Sequence, residues 1–153
     1  MTDIDARLVE LGLTLPAAPA PAANYVPYVQ SGNMLFVSGQ ISQGPDGLML
    51  GKLGADLDVE AGAKAAAACA LSLLAQARAA CSGDFSKLKR VVKLTGFVNS
   101  TPEFTDQPKV INGASDLLVA VLGDAGRHSR SAVSAAALPL GVAVEIEAIF
   151  ELA

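Results

Sequence analysis

Arg130 and Glu145 are the residues of this chain best placed to do chemistry. No ionisable side chain stands between Ser131 and Val144, so the two are isolated charges in an apolar stretch. A charge taken out of water without a partner is costly, so the two either pair internally or face a ligand. A guanidinium offers a planar fork that grips a carboxylate through two parallel hydrogen bonds and stays charged at any working pH. A carboxylate near such an anchored ligand can orient and polarise a water. With a ligand anchored in that way, orientation and a polarised water can carry much of a hydrolysis. The competing reading is an internal salt bridge from Arg130 to Glu145 or to Glu147. Glu147 shares a strand face with Glu145, so alternation alone does not choose between them.

The elements that must position these groups follow from hydrophobic period and punctuation. The last two strands run from about Ser131 to Ala137 and from Val142 to Glu151, joined by Leu138-Pro139-Leu140-Gly141, and are expected to be neighbours. A turn centred on Pro139 and Leu140 would pair Arg130 with Ile149, not with Glu145. Convergence of Arg130 and Glu145 therefore requires strand twist, a longer loop or a neighbouring subunit. Upstream, Tyr25 to Gln30 and Met34 to Ser42 read as strands split by the turn Ser31-Gly32-Asn33, and Gly44-Pro45-Asp46-Gly47 turns the chain towards a short strand near Leu48 to Gly51. From Asp58, a plausible cap, to the terminator Gly83 the period becomes helical, with Ala63, Ala67, Ala70, Leu71, Leu74, Ala77 and Cys81 on one face set to cover a sheet.

A strand through Val91, Val92, Leu94, Phe97 and Val98 follows, with Thr101-Pro102 offering a stop and the first turn of the next helix. That helix spans roughly Asp106 to Leu122 and buries Val110, Ala114, Leu117, Leu118 and Val121. At the N-terminus, Thr2 can cap an amphipathic helix ending at Gly12, and residues 16–23 form a proline-alanine linker that favours extended geometry. The chain thus divides into residues 1–23, helix and linker, and a domain of residues 24–153. The fold class is α+β: a mixed β-sheet covered on one face by two helices, the other face covered by association into a trimer or dimer.

Composition excludes several function classes. The 153 residues, 52% hydrophobic and 17% charged, suit one globular domain. Net charge −4, with basic residues scattered except for Lys87, Lys89, Arg90 and Lys93, argues against nucleic acid as a partner. Cys69 and Cys81 lie about 18 Å apart along one helix and cannot bridge, which suits a reducing cytoplasm. The acidic start, Met1-Thr2-Asp3-Ile4-Asp5, is no secretory signal, and no run approaches the length of a membrane span. His128, the one histidine, reads as a solvent-exposed loop residue without metal partners. Ser38-Gly39-Gln40 lacks the GxSxG frame of a nucleophile elbow.

Several motifs together resemble the RidA (YjgF) family from about residue 24 to the end. They are Tyr25-Val26-Pro27-Tyr28-Val29-Gln30, Gly32-Asn33-Met34, Val37-Ser38-Gly39-Gln40-Ile41, and the final set Arg130-Ser131-x-Val133, Leu138-Pro139, Val144-Glu145-Ile146-Glu147. The resemblance implies a homotrimer of chorismate-mutase-like subunits with ligand clefts at subunit boundaries. It also implies hydrolysis of reactive enamine/imine acids such as 2-aminoacrylate to 2-oxo acids and ammonia, with no metal and no organic cofactor. Carried over, Arg130 is the carboxylate anchor and Glu145 holds the hydrolytic water, while Tyr28, Gly39 and Asn112 are substrate-binding positions. Ala132 departs from the cysteine often found there in family deaminases. The alternative function is a non-catalytic protein that binds or senses a small carboxylate metabolite in the same cleft.

Overall fold

The position of one helix dictates how the strands are ordered. The computed structural model describes residues 3–21 and 23–153. In chain order it comprises α1 (Ile4–Glu10), β1 (Tyr28–Ser31), β2 (Met34–Ile41), the hairpin β3 (Gln43–Gly44) and β4 (Gly47–Leu48), α2 (Val59–Ala80), β5 (Leu88–Asn99), α3 (Gln107–Leu122), β6 (Ser129–Ala135) and β7 (Val144–Leu152). The main sheet has the order β1-β2-β7-β5-β6. Because α3 carries the chain back along the sheet after β5, β6 enters parallel to β5. All other pairs are antiparallel.

The expectation that β6 and β7 are neighbours is therefore corrected: β5 lies between them. Residues 136–143 do not form a hairpin turn but cross the end of β5, where Asn99 N–H donates to the Ala143 carbonyl at 2.9 Å and Leu50 bridges Val142. Thr101-Pro102 likewise does not open the next helix. α3 starts at Gln107, with proline in its first turn.

Asp58 caps α2, its carboxylate accepting from Ala61 N–H, as the sequence indicates. Its buried surface is wider than one face. Ser72 to Ala77 are all buried, whereas Ala63, Ala67 and Leu71 are only half-buried. The reason is that α2 is surrounded: the sheet lies beneath it, α3 beside it, and the N-terminal segment over it. Close approach of the two helices depends on Gly113, where a Cβ would collide with the Ala63 carbonyl. Gly96 of β5 plays the same part for α3, since a Cβ there would lie 2.6 Å from Ile111 Cδ1.

Leu94, Val98, Ile146, Ala148 and Phe150 face the helices and build the core. The other face of the sheet presents Phe36, Phe97, Val133 and Ile149 among Glu145, Glu147 and Thr95, and Phe36 and Val133 are exposed. Ile4 and Leu8 of α1 are buried in the same core as the sheet. Asp3 caps α1 by accepting from Ala6 N–H. Thr2, the residue expected in that role, lies outside the described residues, as does Ala22 of the linker. Cys69 and Cys81 are buried free thiols.

Candidate functional site

Alternation along β7 and β6 decides which face each candidate side chain occupies. Glu145 is opposite Phe97 on β5, and Phe97 is opposite Val133 on β6, so all three point away from the helices. Arg130 is opposite Leu94, a core residue, and so points towards α3. The two groups thus lie on opposite faces of the sheet. They are also about 10 Å apart across two strand spacings and about 10 Å apart along the strands.

Around Glu145 the sequence provides a cradle. β2 slips register between Val37 and Gln40, placing Gly39 in a bulge next to β7. A Cβ on Gly39 would lie 2.5 Å from Glu145 Oε2 and 2.9 Å from its Cδ, so any larger residue would displace that carboxylate from its present position. The carboxylate opens into a cavity of about 630 Å³ walled by the N-terminal linker, the bulge and the loop carrying Pro139 and Leu140. Burial, and secondarily the charge of Glu147, holds the Glu145 carboxyl above its ordinary pKa. Among the described residues, no cation stands at salt-bridge distance from it. Beneath the strand, burial first and Glu145 second push the Cys69 thiol up, so that sulfur is no nucleophile.

Leu140 in this cavity wall is unusual twice over. It is 67% exposed and holds φ +59, a left-handed conformation that costs a residue with a Cβ about 1–2 kcal/mol.

Around Arg130 a second cluster forms on α3. One guanidinium nitrogen donates to Ser115 Oγ at 3.0 Å and another to the Pro108 carbonyl at 3.1 Å. Pro108, Asn112 and Ser115 follow at i, i+4 and i+7, which aligns them on one stripe of the helix with exposed Asn112 in the middle. Ser115 is in turn tied to His128 Nε2 at 2.9 Å, and His128 Nδ1 to the Gly126 carbonyl at 2.6 Å. A carbonyl only accepts, so Nδ1–H is the donor there; in the uncharged ring Nε2 then accepts the Ser115 hydroxyl proton, leaving Ser115 Oγ free to accept from Arg130. His128 is therefore half-buried and doubly bonded, not the exposed loop residue expected. Among the described residues Arg130 has no carboxylate partner, so the internal salt bridge to Glu145 or Glu147 does not form.

The candidate residues thus fall into groups. Gly39 joins Glu145, and Asn112 joins Arg130. Tyr28 joins neither within the chain. It is opposite Val37, faces the helix side, and sits on edge strand β1, about 19 Å in strand spacings from the opposite edge that carries Arg130. Sequence reasoning passed over Ser115 and read His128 as a solvent-exposed loop residue. The signal for His128 was parity: two residues before Arg130, it lies on the same side of the chain.

The model of the family described as "YjgF/chorismate_mutase-like, putative endoribonuclease" matches residues 5–152. The chain belongs to this YjgF family. It is 54% identical to Protein TCP17 of Trypanosoma cruzi over 151 residues, 97% of this chain and 94% of that protein. The crystal structure of Atu1372 from Agrobacterium tumefaciens is similar with TM-score 0.91 and 52% identity, covering 98% of this chain and 92% of that one. E. coli TdcF, solved with bound serine, is similar with TM-score 0.61 and 27% identity, covering 88% of this chain and 93% of that one. The YjgF relation agrees with the resemblance carried by the Arg130, Leu138-Pro139 and Glu145 spacing. Among the described residues, no helix is long and apolar enough to cross a membrane, and no three His, Cys, Asp or Glu side chains gather as metal ligands.

Proposed function

We propose that the protein is an enamine/imine deaminase that hydrolyses small 2-imino acids to 2-oxo acids and ammonia. The observation that carries this reading is the state of Arg130. Its guanidinium is held by two neutral acceptors, Ser115 Oγ and the Pro108 carbonyl, with its charge left for an incoming carboxylate. Asn112 on the same helix stripe supplies a further polar contact. The similar TdcF structure holds serine, itself a small carboxylate ligand.

Glu145 supplies the other half. An ionised carboxylate can accept a proton from water as the water oxygen bonds to the imine carbon. The imine nitrogen takes up a proton, and the resulting carbinolamine expels ammonia to leave the 2-oxo acid. An enamine substrate first gains a proton at C3 to become the imine. The raised pKa makes Glu145 a better proton acceptor than an ordinary surface carboxylate.

Because Arg130 and Glu145 lie on opposite faces of one sheet, a single chain holds two half-sites. Association through the exposed Phe36 and Val133 face into a homotrimer brings the Arg130 half-site of one subunit to the Glu145 half-site of the next. Tyr28, on the far edge strand, is then a boundary residue of the same cleft.

The test generates 2-aminoacrylate in situ and follows pyruvate with wild type and Arg130→Ala. Acceleration by wild type alone supports the reading. Equal acceleration by both removes Arg130 from the mechanism. Saturable stabilisation by 2-oxo acids without turnover supports the non-catalytic carboxylate-binding alternative.

A further inference from the structure

The cavity beside Glu145 is larger than 2-aminoacrylate needs. Its volume of about 630 Å³ falls within the range of pockets that take drug-sized ligands. Its wall is mostly apolar and includes Pro19, Ala20 and Pro21 of the linker together with Ile41, Pro139 and Leu140. Among the described lining residues, Glu145 is the one charged side chain. A substrate carboxylate is repelled from such a space and is drawn instead to Arg130. What the cavity offers room for is the remainder of the substrate.

The wall is built into the fold. The carbonyl of Pro19 accepts from Gln76 Nε2 at 2.6 Å, and Gln76, 1% exposed, also donates to Gln40 Oε1 at 3.3 Å. Upstream, α1 is fixed by buried Ile4 and Leu8, by the Arg7 Nε donation to the Ala120 carbonyl at 2.8 Å, and by the Asp5–Arg78 pair at 3.4 Å. The linker between these anchors is a positioned strap. Leu140, an exposed apolar side chain on a left-handed backbone, lines the same cavity. Glycine would relieve the backbone and asparagine would tolerate it, so leucine at this position needs a reason in what it touches.

We infer that this cavity is the side-chain subsite, with Leu140 and the Pro19–Pro21 strap as its specificity-determining walls, and that the preferred substrates are 2-imino acids with apolar side chains of isobutyl size or larger. The inference rests on the deaminase reading of Arg130 and Glu145 for its catalytic part. The subsite itself is testable by binding alone.

Imines made in situ from leucine and phenylalanine by an L-amino-acid oxidase are compared with 2-aminoacrylate, with 2-oxo acid release as readout. Wild type is expected to show higher kcat/KM for the leucine and phenylalanine imines. Leu140→Gly should lower the ratio of leucine-imine to 2-aminoacrylate kcat/KM about tenfold, the scale of losing apolar contacts in a specificity pocket, without lowering Tm. Ala20→Phe, which fills the cavity from the strap, should lower the same ratio. A wild-type preference for 2-aminoacrylate, or a ratio unchanged in both variants, overturns the subsite.

If no imine is turned over, thermal shifts with 4-methyl-2-oxopentanoate and pyruvate decide. A larger shift for the branched acid that shrinks in Leu140→Gly retains the subsite and removes the deaminase reading. Equal shifts, or none, overturn the subsite.

Discussion

Gly39→Ala places one methyl group where the Glu145 carboxylate now lies. The added Cβ would stand 2.5 Å from Oε2, 2.9 Å from Cδ and 3.2 Å from Cγ, whereas ordinary contact begins near 3.4 Å. The carboxylate must therefore retreat by about 1 Å, a misplacement that costs on the order of a hundredfold in rate when the group orients a reacting water. That factor corresponds to about 2.7 kcal/mol of lost transition-state stabilisation. Stability should barely respond, because alanine in a strand is favoured over glycine by about 0.5–1 kcal/mol and Glu145 is half-buried, with room to swing into the cavity. The expected Tm lies within about 3 °C of wild type for a chain of this size. The assay is kcat/KM for imine hydrolysis beside a thermal melt. Activity preserved in Gly39→Ala would refute the argument that the bulge exists to seat the Glu145 carboxylate.

Other perturbations test the charges and their supports. Ser115→Ala removes the acceptor that holds one Arg130 nitrogen at 3.0 Å, so KM for the carboxylate substrate should rise about fivefold while kcat changes less, as steady-state kinetics would show. The proposed role needs Glu145 ionised, so activity should fall as pH drops through its raised pKa. Glu147→Gln takes away the lesser of the two upward pushes and should move that acid limb to lower pH in a pH–rate profile. The same shift has a stability sign. A carboxyl whose folded pKa exceeds its unfolded value contributes stability that is full below the unfolded pKa and is lost as pH rises through the folded one. Glu145→Gln should therefore gain on wild type in melts at pH 7, with the difference closing towards pH 4.

Much of the scaffold could be read from residues because each signal was local. Asp58 capping α2, the helical period of α3 to Gly123 and the turn at Gly44 to Gly47 all act within a few residues of themselves. The order of the last strands could not be read that way. Leu138-Pro139-Leu140-Gly141 has the composition of a hairpin turn, and only the return path through α3 makes β6 pair with β5 instead of β7. The buried surface of α2 was underestimated for a similar reason, because the strap that covers Gln76 comes from residues nearly sixty positions away.

For the candidate site, the Arg130 and Glu145 spacing marked both charges, and the turn geometry already denied them a direct pairing. That they face opposite sides of the sheet is a property of register, which no spacing within one strand reveals. The Ser115 and His128 support of Arg130 depends on α3 packing beside β6, again a contact between distant segments.

The most direct test of the two half-sites is complementation. Arg130→Ala and Glu145→Gln are each expected to be inactive when purified alone. Unfolded and refolded together in equal amounts, they should form mixed trimers in which about one quarter of the subunit boundaries join an intact Arg130 to an intact Glu145, by random assortment in a cyclic assembly. Recovery of about a quarter of wild-type activity is the predicted result. Mixed oligomers that form but stay inactive would contradict a site shared between subunits.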